Sequence, residues 1–90
     1  MAWTLEFLPG ADKTLRKLDR TVAERILDEL EEVSGLDDPR SRGKALTGNL
    51  TGLWRYRVGD YRVVCDIEDG RLVIVVVDLG HRSRVYKARR

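Results

Sequence analysis

The chain has few of the residue types on which disulfides, metal centres and membrane spans depend. Among its 90 residues are one cysteine, one histidine and two prolines. The single cysteine, Cys65, excludes an internal disulfide and a cysteine-based zinc site. The longest apolar run, Leu72 to Val77, is far too short to cross a bilayer, and no basic region followed by an apolar stretch marks the N-terminus for secretion. We therefore expect a cytoplasmic protein that has no membrane contact and needs no cofactor or metal.

What the chain does contain is typical of one small folded domain. Hydrophobic residues make up 42% and charged residues 36% of the sequence, and no low-complexity tract interrupts it. This balance is that of a soluble globular domain rather than of a disordered tail. We expect residues 1–90 to form a single domain, because the chain is too short for a two-domain enzyme with a separate cofactor fold.

Hydrophobic periodicity and turn signals predict the element order β-α-α-β-β-β. A strand at residues 2–8 precedes a first helix, and a second helix starts at Thr21 with a capping-box pattern. Three strands follow a loop at residues 36–51, joined by the two-residue hairpin signals Gly59-Asp60 and Asp69-Gly70. The apolar stripe of the second helix, which should face the sheet, consists of Val22, Ile26, Leu27, Leu30 and Val33. The order predicts an α+β fold, in which a helical hairpin packs on one face of a small, mainly antiparallel sheet.

The Gly59-Asp60 turn determines which side chains share a face of this sheet. With these two residues in the turn, Arg57 lies opposite Arg62, and alternation adds Arg55 to the same face. Like charges directly opposite each other destabilise a sheet by roughly 0.2–1 kcal/mol. Three grouped arginines therefore indicate an anion site, although long side chains that splay apart in water would also explain them. The other face, where we expect the helices, carries Trp54, Tyr56, Val63, Cys65 and Ile67.

The last strand adds an apolar strip to the face of the arginines. If Asp69-Gly70 is also a two-residue turn, Val73, Val75 and Val77 lie on that face. An exposed apolar strip beside a basic one usually marks a protein contact. We therefore expect a protein partner that presents an amphipathic helix or an extended strand with acidic residues.

The residues after the last strand carry groups suited to phosphodiester chemistry on RNA. The segment Gly80 to Tyr86 can deliver His81, Arg82 and Tyr86 to the edge of the face that carries the arginines. Cations stabilise a crowded phosphorane, and a titrating group can take the 2′-OH proton or give one to the leaving oxygen. With one histidine, a two-histidine ribonuclease mechanism is not available to a single chain. Metal-dependent cleavage is not expected either, because the basic face lacks clustered carboxylates.

The charges are unevenly distributed along the chain. Residues 1–38 contain five lysines and arginines against ten acidic residues, whereas residues 39–90 contain twelve against five. Such an asymmetry indicates a polyanionic partner for the basic part. The cations outside the expected catalytic group that should contact RNA phosphates are Arg40, Arg42, Lys44 and Arg84.

Four blocks match a known pattern, and the similarity runs over essentially the whole chain. They are Ala11 to Leu18, Gly43 to Gly48, Leu53 to Val64, and Gly80 to Tyr86. In these blocks the sequence resembles the RelE/ParE superfamily, the toxins of bacterial and archaeal type II toxin–antitoxin pairs. It is more similar to the RelE branch, whose members cleave mRNA in the ribosomal A site, than to the gyrase-poisoning ParE branch. The family fold, a small sheet packed by a helical hairpin, agrees with the predicted elements.

The resemblance implies roles for individual residues. The positions that match the basic and aromatic site residues of the family are Arg55, Arg57, Arg62, Arg82 and Tyr86. In the family these residues stabilise the phosphate, stack on the substrate base and assist attack by the 2′-OH, which gives a 2′,3′-cyclic phosphate. Well-studied RelE proteins carry lysines at the positions of Arg55 and Arg57. Because arginine is a poorer proton acceptor than lysine, His81 is the candidate general base here.

Three functions remain open from the sequence. The first is a metal-independent, ribosome-dependent mRNA endonuclease that a cognate antitoxin neutralises. The second is a gyrase inhibitor that acts by binding, and the third is a non-catalytic RNA-binding module whose arginines only contact phosphate. The combination of Arg62, His81, Arg82 and Tyr86 favours the first, because a protein that only binds has no need of a titrating group.

Overall fold

The computed structural model describes residues 3–83. Within that range the chain forms five strands, two α-helices and two short 3₁₀ turns. In chain order the strands and helices are β1 (Thr4–Phe7), α1 (Pro9–Lys17), α2 (Arg20–Ser34), β2 (Lys44–Ala45), β3 (Trp54–Val58), β4 (Tyr61–Glu68) and β5 (Val73–His81). The predicted order is confirmed, with β2 as an additional short strand in the segment that was expected to be a loop.

The strands form one mixed sheet in the order β1-β5-β4-β3-β2. The pairs β5–β4, β4–β3 and β3–β2 are antiparallel, whereas β1 lies parallel to β5. A parallel neighbour needs a long connection, and both helices and the other strands separate β1 from β5 along the chain. The predicted α+β fold, with helices packed on a mainly antiparallel sheet, is confirmed.

The helices cover one face of the sheet and form the core with it. The face of β3 and β4 that was predicted to meet the helices does so through Tyr56, Val63, Cys65 and Ile67, with Trp54 packed at the margin. The other buried residues of the helices and of β5 in this core are Ala11, Leu15, Ile26, Leu30, Val33, Ile74, Val76 and Leu79. Burial raises the pKa of the Cys65 thiol, so this cysteine is an inert core side chain.

The start of α2 differs from the predicted capping box. Its N-cap is Asp19, whose carboxylate accepts a hydrogen bond from the backbone amide of Thr21 at 3.0 Å, so Thr21 lies inside the helix. Leu27, predicted to face the sheet, is 37% exposed. It follows the fully buried Ile26 by one residue and is therefore turned away from the apolar stripe. Both predictions are wrong at these positions.

The loop between β4 and β5 is longer than the two-residue turn predicted at Asp69-Gly70. Glu68 pairs with Val73, which leaves the four residues 69–72 in the loop. Leu72 has a φ of 54°, in the left-handed region that favours glycine and asparagine. Its carbonyl accepts a hydrogen bond from the Thr4 amide at 2.9 Å, which fixes the loop to the start of β1. The two extra residues leave the alternation at the start of β5 unchanged.

The conformation of Leu72 predicts a stabilising substitution. Leu72→Asn should raise the free energy of unfolding by about 1 kcal/mol, because asparagine tolerates a positive φ that is costly for other residues. Leu72 is 50% exposed, so little packing is lost. Urea unfolding measures the gain, and Leu72→Ala, which keeps the Cβ, is the control that should show none. Equal stability of the Asn and Ala variants would contradict the expectation.

Candidate active site on the open face of the sheet

One face of the sheet, the open face, is turned away from the helices and carries a group of basic side chains. The predicted register of the β3–β4 hairpin is confirmed, and Arg57 lies directly opposite Arg62. Arg55 shares this face by alternation, and Lys44 of β2 lies directly opposite Arg55. We call these four residues the basic cluster.

One arginine of the basic cluster is buried and a second is half-buried. Arg62 is 7% exposed and lies opposite Gly80 of β5, which has no side chain to crowd it. The Nε of Arg55 is buried and has no hydrogen-bond partner in the part of the chain that the structure describes. Arg57, in contrast, is exposed. A cation fixed by its surroundings can stabilise developing charge without reorganising, which is the requirement for electrostatic catalysis.

Within residues 3–83, three members of the basic cluster have no carboxylate partner. Several arginines elsewhere form ion pairs with acidic side chains, but within residues 3–83 none of these pairs involves Lys44, Arg55 or Arg57. Uncompensated cations on one surface create a positive potential that attracts anions. The basic cluster therefore has charge available for a ligand.

The opposite end of the open face is acidic. Glu6 of β1 and Asp66 and Glu68 of β4 lie on this face, while Asp78 of β5, opposite Val64, is the acidic residue of the face that lies nearer to the arginines. Arg71 bridges Glu6 and Glu68, with contacts of 3.1 Å to each. The positive charge is thus concentrated at the corner formed by β2, β3 and the β3–β4 turn, and an anionic strand would be attracted to that corner.

The apolar strip expected beside the basic residues is not an exposed surface. Val73 and Val75 share the open face, as predicted, but they are only 6% and 8% exposed. Val77 has no partner across the ladder, because the register shifts between Val64 and Cys65 and leaves one extra residue in β5. The prediction of an exposed apolar docking strip is therefore wrong.

The extra residue Val77 forms a β-bulge, and this bulge determines the side of the sheet on which His81 lies. β5 extends to His81, which pairs with Tyr61, and Tyr61 packs against the core. The two rings make an edge-to-face contact with their centroids 5.6 Å apart. His81 therefore lies on the helix side of the sheet, and the expectation that it reaches the face of the arginines is wrong. Without the extra residue Val77, the pairing would shift by one and His81 would share the face of Arg62.

The imidazole of His81 already uses one of its nitrogens. The backbone amide of Ser83 donates to Nδ1 at 3.2 Å, and the Ser83 hydroxyl lies 2.9 Å from the same nitrogen. A neutral imidazole that accepts at Nδ1 carries its proton on Nε2. The other nitrogen of His81 is then a donor, so the ring is poorly arranged to take a proton from a 2′-OH.

Arg82 lies at the end of the open face that is next to the β3–β4 turn. Its backbone amide donates to the carbonyl of Asp60 at 2.8 Å, so the ladder continues one residue beyond His81. Alternation directs the Arg82 side chain to the side on which Arg62 lies, and this agrees with its expected place beside the arginines. Arg84 and Tyr86 lie outside the described residues.

Arg40 and Arg42, expected to contact RNA, are engaged in ion pairs away from the basic cluster. Arg40 donates to both carboxylate oxygens of Asp69 at 3.0 Å, and this hydrogen bonding lowers the pKa of the Asp69 carboxyl. Arg42 contacts two carboxylates of α2 at 3.2 and 2.9 Å. Both arginines thus tie the segment after α2 to the rest of the fold. Of the three basic residues in that segment, only Lys44 joins the basic cluster.

The Arg40–Asp69 pair predicts a pH-dependent loss of stability without loss of function. Arg40→Gln should lower the melting temperature near pH 7, because the ionised carboxylate loses its partner. The pKa of Asp69 is lowered in the folded state, so the stabilisation is present above the ordinary pKa of an aspartate. It disappears as the pH falls through the lowered value. The melting temperatures of the variant and the wild type should therefore converge in strong acid. An equal difference in melting temperature near pH 7 and in strong acid would contradict this account.

Two hydrogen bonds to the segment before β2 hold Lys44 against β3. The Trp54 indole Nε1 donates to the backbone carbonyl of Arg42 at 2.6 Å. The buried hydroxyl of Tyr56 donates to the carbonyl of Pro39 at 2.7 Å, and burial raises the pKa of this phenol, which keeps it a donor. These two bonds fix the segment before β2 to the strand that carries the arginines.

Gly43 makes the close approach of this segment possible. Its φ of 78° lies in the left-handed region, and a Cβ at this position would overlap the carbonyl oxygen of Arg55 and crowd the indole of Trp54. The close approach allows the next two residues to pair with β3 as the strand β2. An isolated glycine before a basic residue is the only sequence signal of this arrangement.

The open face is exposed mainly at its basic corner, because Arg62, Val64, Val73 and Val75 on it are buried. Arg57 of the basic cluster also lines a shallow cleft of about 340 Å³ with Asp28, Glu29 and Glu32 of α2. A cleft of about 200 Å³ beside the β3–β4 turn lies on the helix side and is lined by Val22, Arg25, Val58, Gly59, Asp60 and Tyr61. Residues 3–83 contain no group of three or more histidine, cysteine or acidic side chains that could hold a metal ion. No helix in this range is long and apolar enough to cross a membrane. The exposed cations Lys44, Arg57 and Arg82 of this face suit a polymeric phosphodiester, whereas small molecules are usually bound in enclosed clefts.

Several known proteins match this chain in sequence. A family model described as "ParE toxin of type II toxin-antitoxin system, parDE" matches residues 5–86. The chain is 34% identical over 86 residues to the mRNA interferase toxin RelE of Escherichia coli (strain K12), which covers 93% of this chain and 87% of that protein. A second match, to the toxin RelE of Mycobacterium tuberculosis, is 40% identical over 52 residues and covers 58% of this chain and 54% of that protein.

Solved structures share the fold. The free E. coli toxin RelE with two arginines replaced by alanine has a TM-score of 0.75 and 30% identity, and the match covers 100% of both chains. A toxin–antitoxin complex, the intact E. coli RelBE, gives a TM-score of 0.73 at 26% identity, with 89% of this chain and 96% of that chain covered.

These matches place the chain and its fold in a known class, the toxins of type II toxin–antitoxin systems. The chain belongs to the RelE/ParE superfamily. Within the superfamily it is RelE-like, because the E. coli relative that shares 34% identity over nearly the whole chain is a RelE protein. The resemblance identified from the sequence blocks is confirmed.

Proposed function

We propose that this RelE-like toxin is an mRNA interferase that cuts messenger RNA on the ribosome and is neutralised by a cognate antitoxin. The Arg57–Arg62 pair is the observation that carries the proposal. Two cations directly opposite each other are unfavourable, and an anion bound between them removes the repulsion. The E. coli relative named mRNA interferase toxin RelE supports the same activity. The place of action is the cytoplasm, where ribosomes translate.

The basic cluster suits cleavage by the neighbouring 2′-OH of the RNA. The 2′-oxygen attacks phosphorus and releases its proton to solvent water, the bond to the 5′-oxygen breaks, and the departing oxygen takes up a proton from solvent water. The products are a 2′,3′-cyclic phosphate and a 5′-hydroxyl. Negative charge grows on the phosphorane oxygens, and Arg57, Arg62 and Arg82 stabilise it through charge-assisted hydrogen bonds. This scheme needs no metal ion.

Other site residues have supporting roles in the proposal. Arg55 adds positive charge next to Arg57. Tyr86 stacks on a substrate base and Arg84 contacts the RNA backbone, as the family resemblance implies. His81 holds the end of β5 through its contact with Tyr61 and takes no proton from the substrate.

The position of His81 predicts a small effect where a general base would give a large one. His81→Gln should leave the rate of single-turnover cleavage on ribosomes within about threefold, with an unchanged profile between about pH 5 and 8, where imidazoles titrate. The measurement is the cleavage rate of both proteins across that range. A flattened profile in the variant would return His81 to the chemistry.

A cognate antitoxin is the protein partner in this proposal. E. coli RelE has been solved in complex with its antitoxin RelB. Acidic residues on the antitoxin of the present chain would meet the basic cluster and block access of RNA to it. Co-purification of the chain with the product of an adjacent gene, and loss of toxicity on co-expression, would support this partner.

Gyrase inhibition is the second candidate, and the family model described by the name ParE favours it. This activity would act by binding and would not require the paired arginines to hold an RNA phosphate. Double-strand DNA breaks that depend on gyrase after induction would identify it. A non-catalytic RNA-binding module would produce neither cuts nor breaks.

Primer extension on translated messages after brief induction of the chain tests the proposed function. We expect discrete cuts aligned with codons, and their disappearance when translation initiation is blocked. Intact messages at a toxic level of the protein would contradict the proposal. Cuts that persist in untranslated RNA would contradict its ribosome dependence.

A further inference from the structure

The basic cluster contains a second pair of opposed cations that the proposed chemistry leaves without a direct role. Lys44 of β2 lies directly opposite Arg55 of β3. The Nε of Arg55 is buried without a hydrogen-bond partner in the described part of the chain, and neither residue has an ion-pair partner within residues 3–83. Two like charges in this position repel each other. Their juxtaposition therefore indicates an anion between them.

The fold maintains this second pair with dedicated contacts. β2 consists of two residues, and its pairing with β3 places Lys44 beside Arg55. The approach depends on Gly43, where no side chain fits, and on the 2.6 Å bond from the Trp54 indole to the carbonyl of Arg42. A glycine in a left-handed conformation and a pairing with β3 would not be needed merely to keep a solvated lysine on the surface.

The centres of the two pairs are about 8 Å apart, which is longer than the spacing of neighbouring phosphates in a single strand but within the reach of the long side chains. Arg55 and Arg57 are two residues apart on β3, which separates them by about 6.7 Å along the strand. The pairs are also displaced by one strand across the sheet, about 4.8 Å. The long side chains of Lys44 and Arg62 can adjust the distance between the two anion positions. An extended RNA strand can therefore place one phosphate at each pair.

We infer that Lys44 and Arg55 form a second phosphate subsite, which binds the phosphate next to the one that is cut. This rests on the proposed function, in which the Arg57–Arg62 pair holds the scissile phosphate. The RNA strand then crosses the open face obliquely, from the β3–β4 turn towards the edge at β2. Lys44 is thus a substrate-binding residue that contributes to the alignment of the reacting phosphate.

Neutral phosphate linkages combined with Lys44 variants test the subsite. Messages with one methylphosphonate immediately 5′ or immediately 3′ of the cut position are bound to ribosomes and cleaved in single turnover. For the wild type, one of the two replacements should reduce kcat/KM about tenfold, the effect of losing one hydrogen bond between charged groups. Lys44→Met should be about tenfold slower on the unmodified message and lose nothing further on that modified one. Lys44→Arg keeps the charge and should restore most of the rate.

Matched controls separate this inference from the function on which it rests. Lys13→Met removes an exposed lysine of α1 and should cut as the wild type does. If Lys44→Met also cuts as the wild type does, or if its loss adds fully to that of the methylphosphonate, the subsite is contradicted. If neither flanking phosphate matters to the wild type, it is contradicted as well. A wild-type protein that cuts no ribosome-bound message would overturn the proposed function itself.

Discussion

Arg62→Ala is expected to slow cleavage of ribosome-bound message by about 10²–10³, the typical cost of losing one preorganised donor to a developing oxyanion. Arg62 is the member of the basic cluster with the best reason to be preorganised, because it is 7% exposed and lies opposite a glycine. Binding to ribosomes should change far less, since the remaining cations of the cluster preserve most of the attraction to phosphate. Single-turnover rates at saturating protein, together with binding to ribosomes, distinguish the two effects.

A matched arginine on the same side of the sheet provides the control. Arg71 contacts Glu6 and Glu68 at the acidic end of the open face, so Arg71→Ala removes an equal charge from a place where no phosphate is expected. It should cut as the wild type does. Because Arg62 is buried, a melting curve of Arg62→Ala must show that the variant is folded at the assay temperature. Equal losses in the two variants would mean that net charge, and not the position of Arg62, determines the rate.

Gly43→Ala is expected to cause the largest loss of stability, about 3 kcal/mol or more, because it adds a backbone clash to an unfavourable positive φ. The Cβ would overlap the Arg55 carbonyl oxygen and lie 2.8 Å from the Trp54 indole nitrogen. The strand that would have to move away carries two arginines of the basic cluster. Cleavage should therefore fall together with stability, and urea unfolding and the cleavage assay measure the two losses.

The variant Gly48→Ala is the control that separates the steric clash at Gly43 from the cost of a positive φ. It also has a positive φ, 64°, but a Cβ there would have no heavy atom within 4 Å. Gly48→Ala should therefore cost only the conformational penalty of about 1 kcal/mol, with cleavage unchanged. Equal losses for the two variants would show that the close approach at Gly43 is not what holds β2 in place.

The hairpin between β3 and β4 could be predicted from sequence because its chemistry is local. A two-residue Gly59-Asp60 turn fixes the pairing, and alternation then assigns every side chain of both strands to a face. The arginine pair and the core face of these strands follow from that register alone. No contact between distant segments is needed to specify them.

The side of the sheet on which His81 lies could not be predicted, because it does not follow from a local turn signal. It depends on a bulge at Val77 and on a four-residue loop at 69–72. The loop leaves the first side chains of β5 on the faces predicted for them. The single extra residue of the bulge moves the side chains that follow it to the opposite face. The bulge turns His81 to the helix side and brings Arg82 to the side of Arg62. Nothing in a run of valines indicates which one is left unpaired.

The basic residues between α2 and β3 show a second limit of sequence reasoning. Arg40, Arg42 and Lys44 look equivalent, but the first two find carboxylate partners at sequence separations of 29, 13 and 10 residues. Such pairs depend on tertiary structure, so composition cannot separate a structural arginine from one that is available to RNA. Lys44 is distinguished only by the strand pairing that Gly43 permits.

Cleavage by the purified chain on programmed ribosomes tests the central claim most directly. Ribosomes with an empty A site over a defined message are mixed with the protein, the same message is supplied free as a control, and the fragment ends are identified by mass spectrometry. We predict a cut within the A-site codon that leaves a 2′,3′-cyclic phosphate on the upstream fragment. An intact message on the ribosome, or an upstream fragment that ends in a 3′-hydroxyl, would contradict the account.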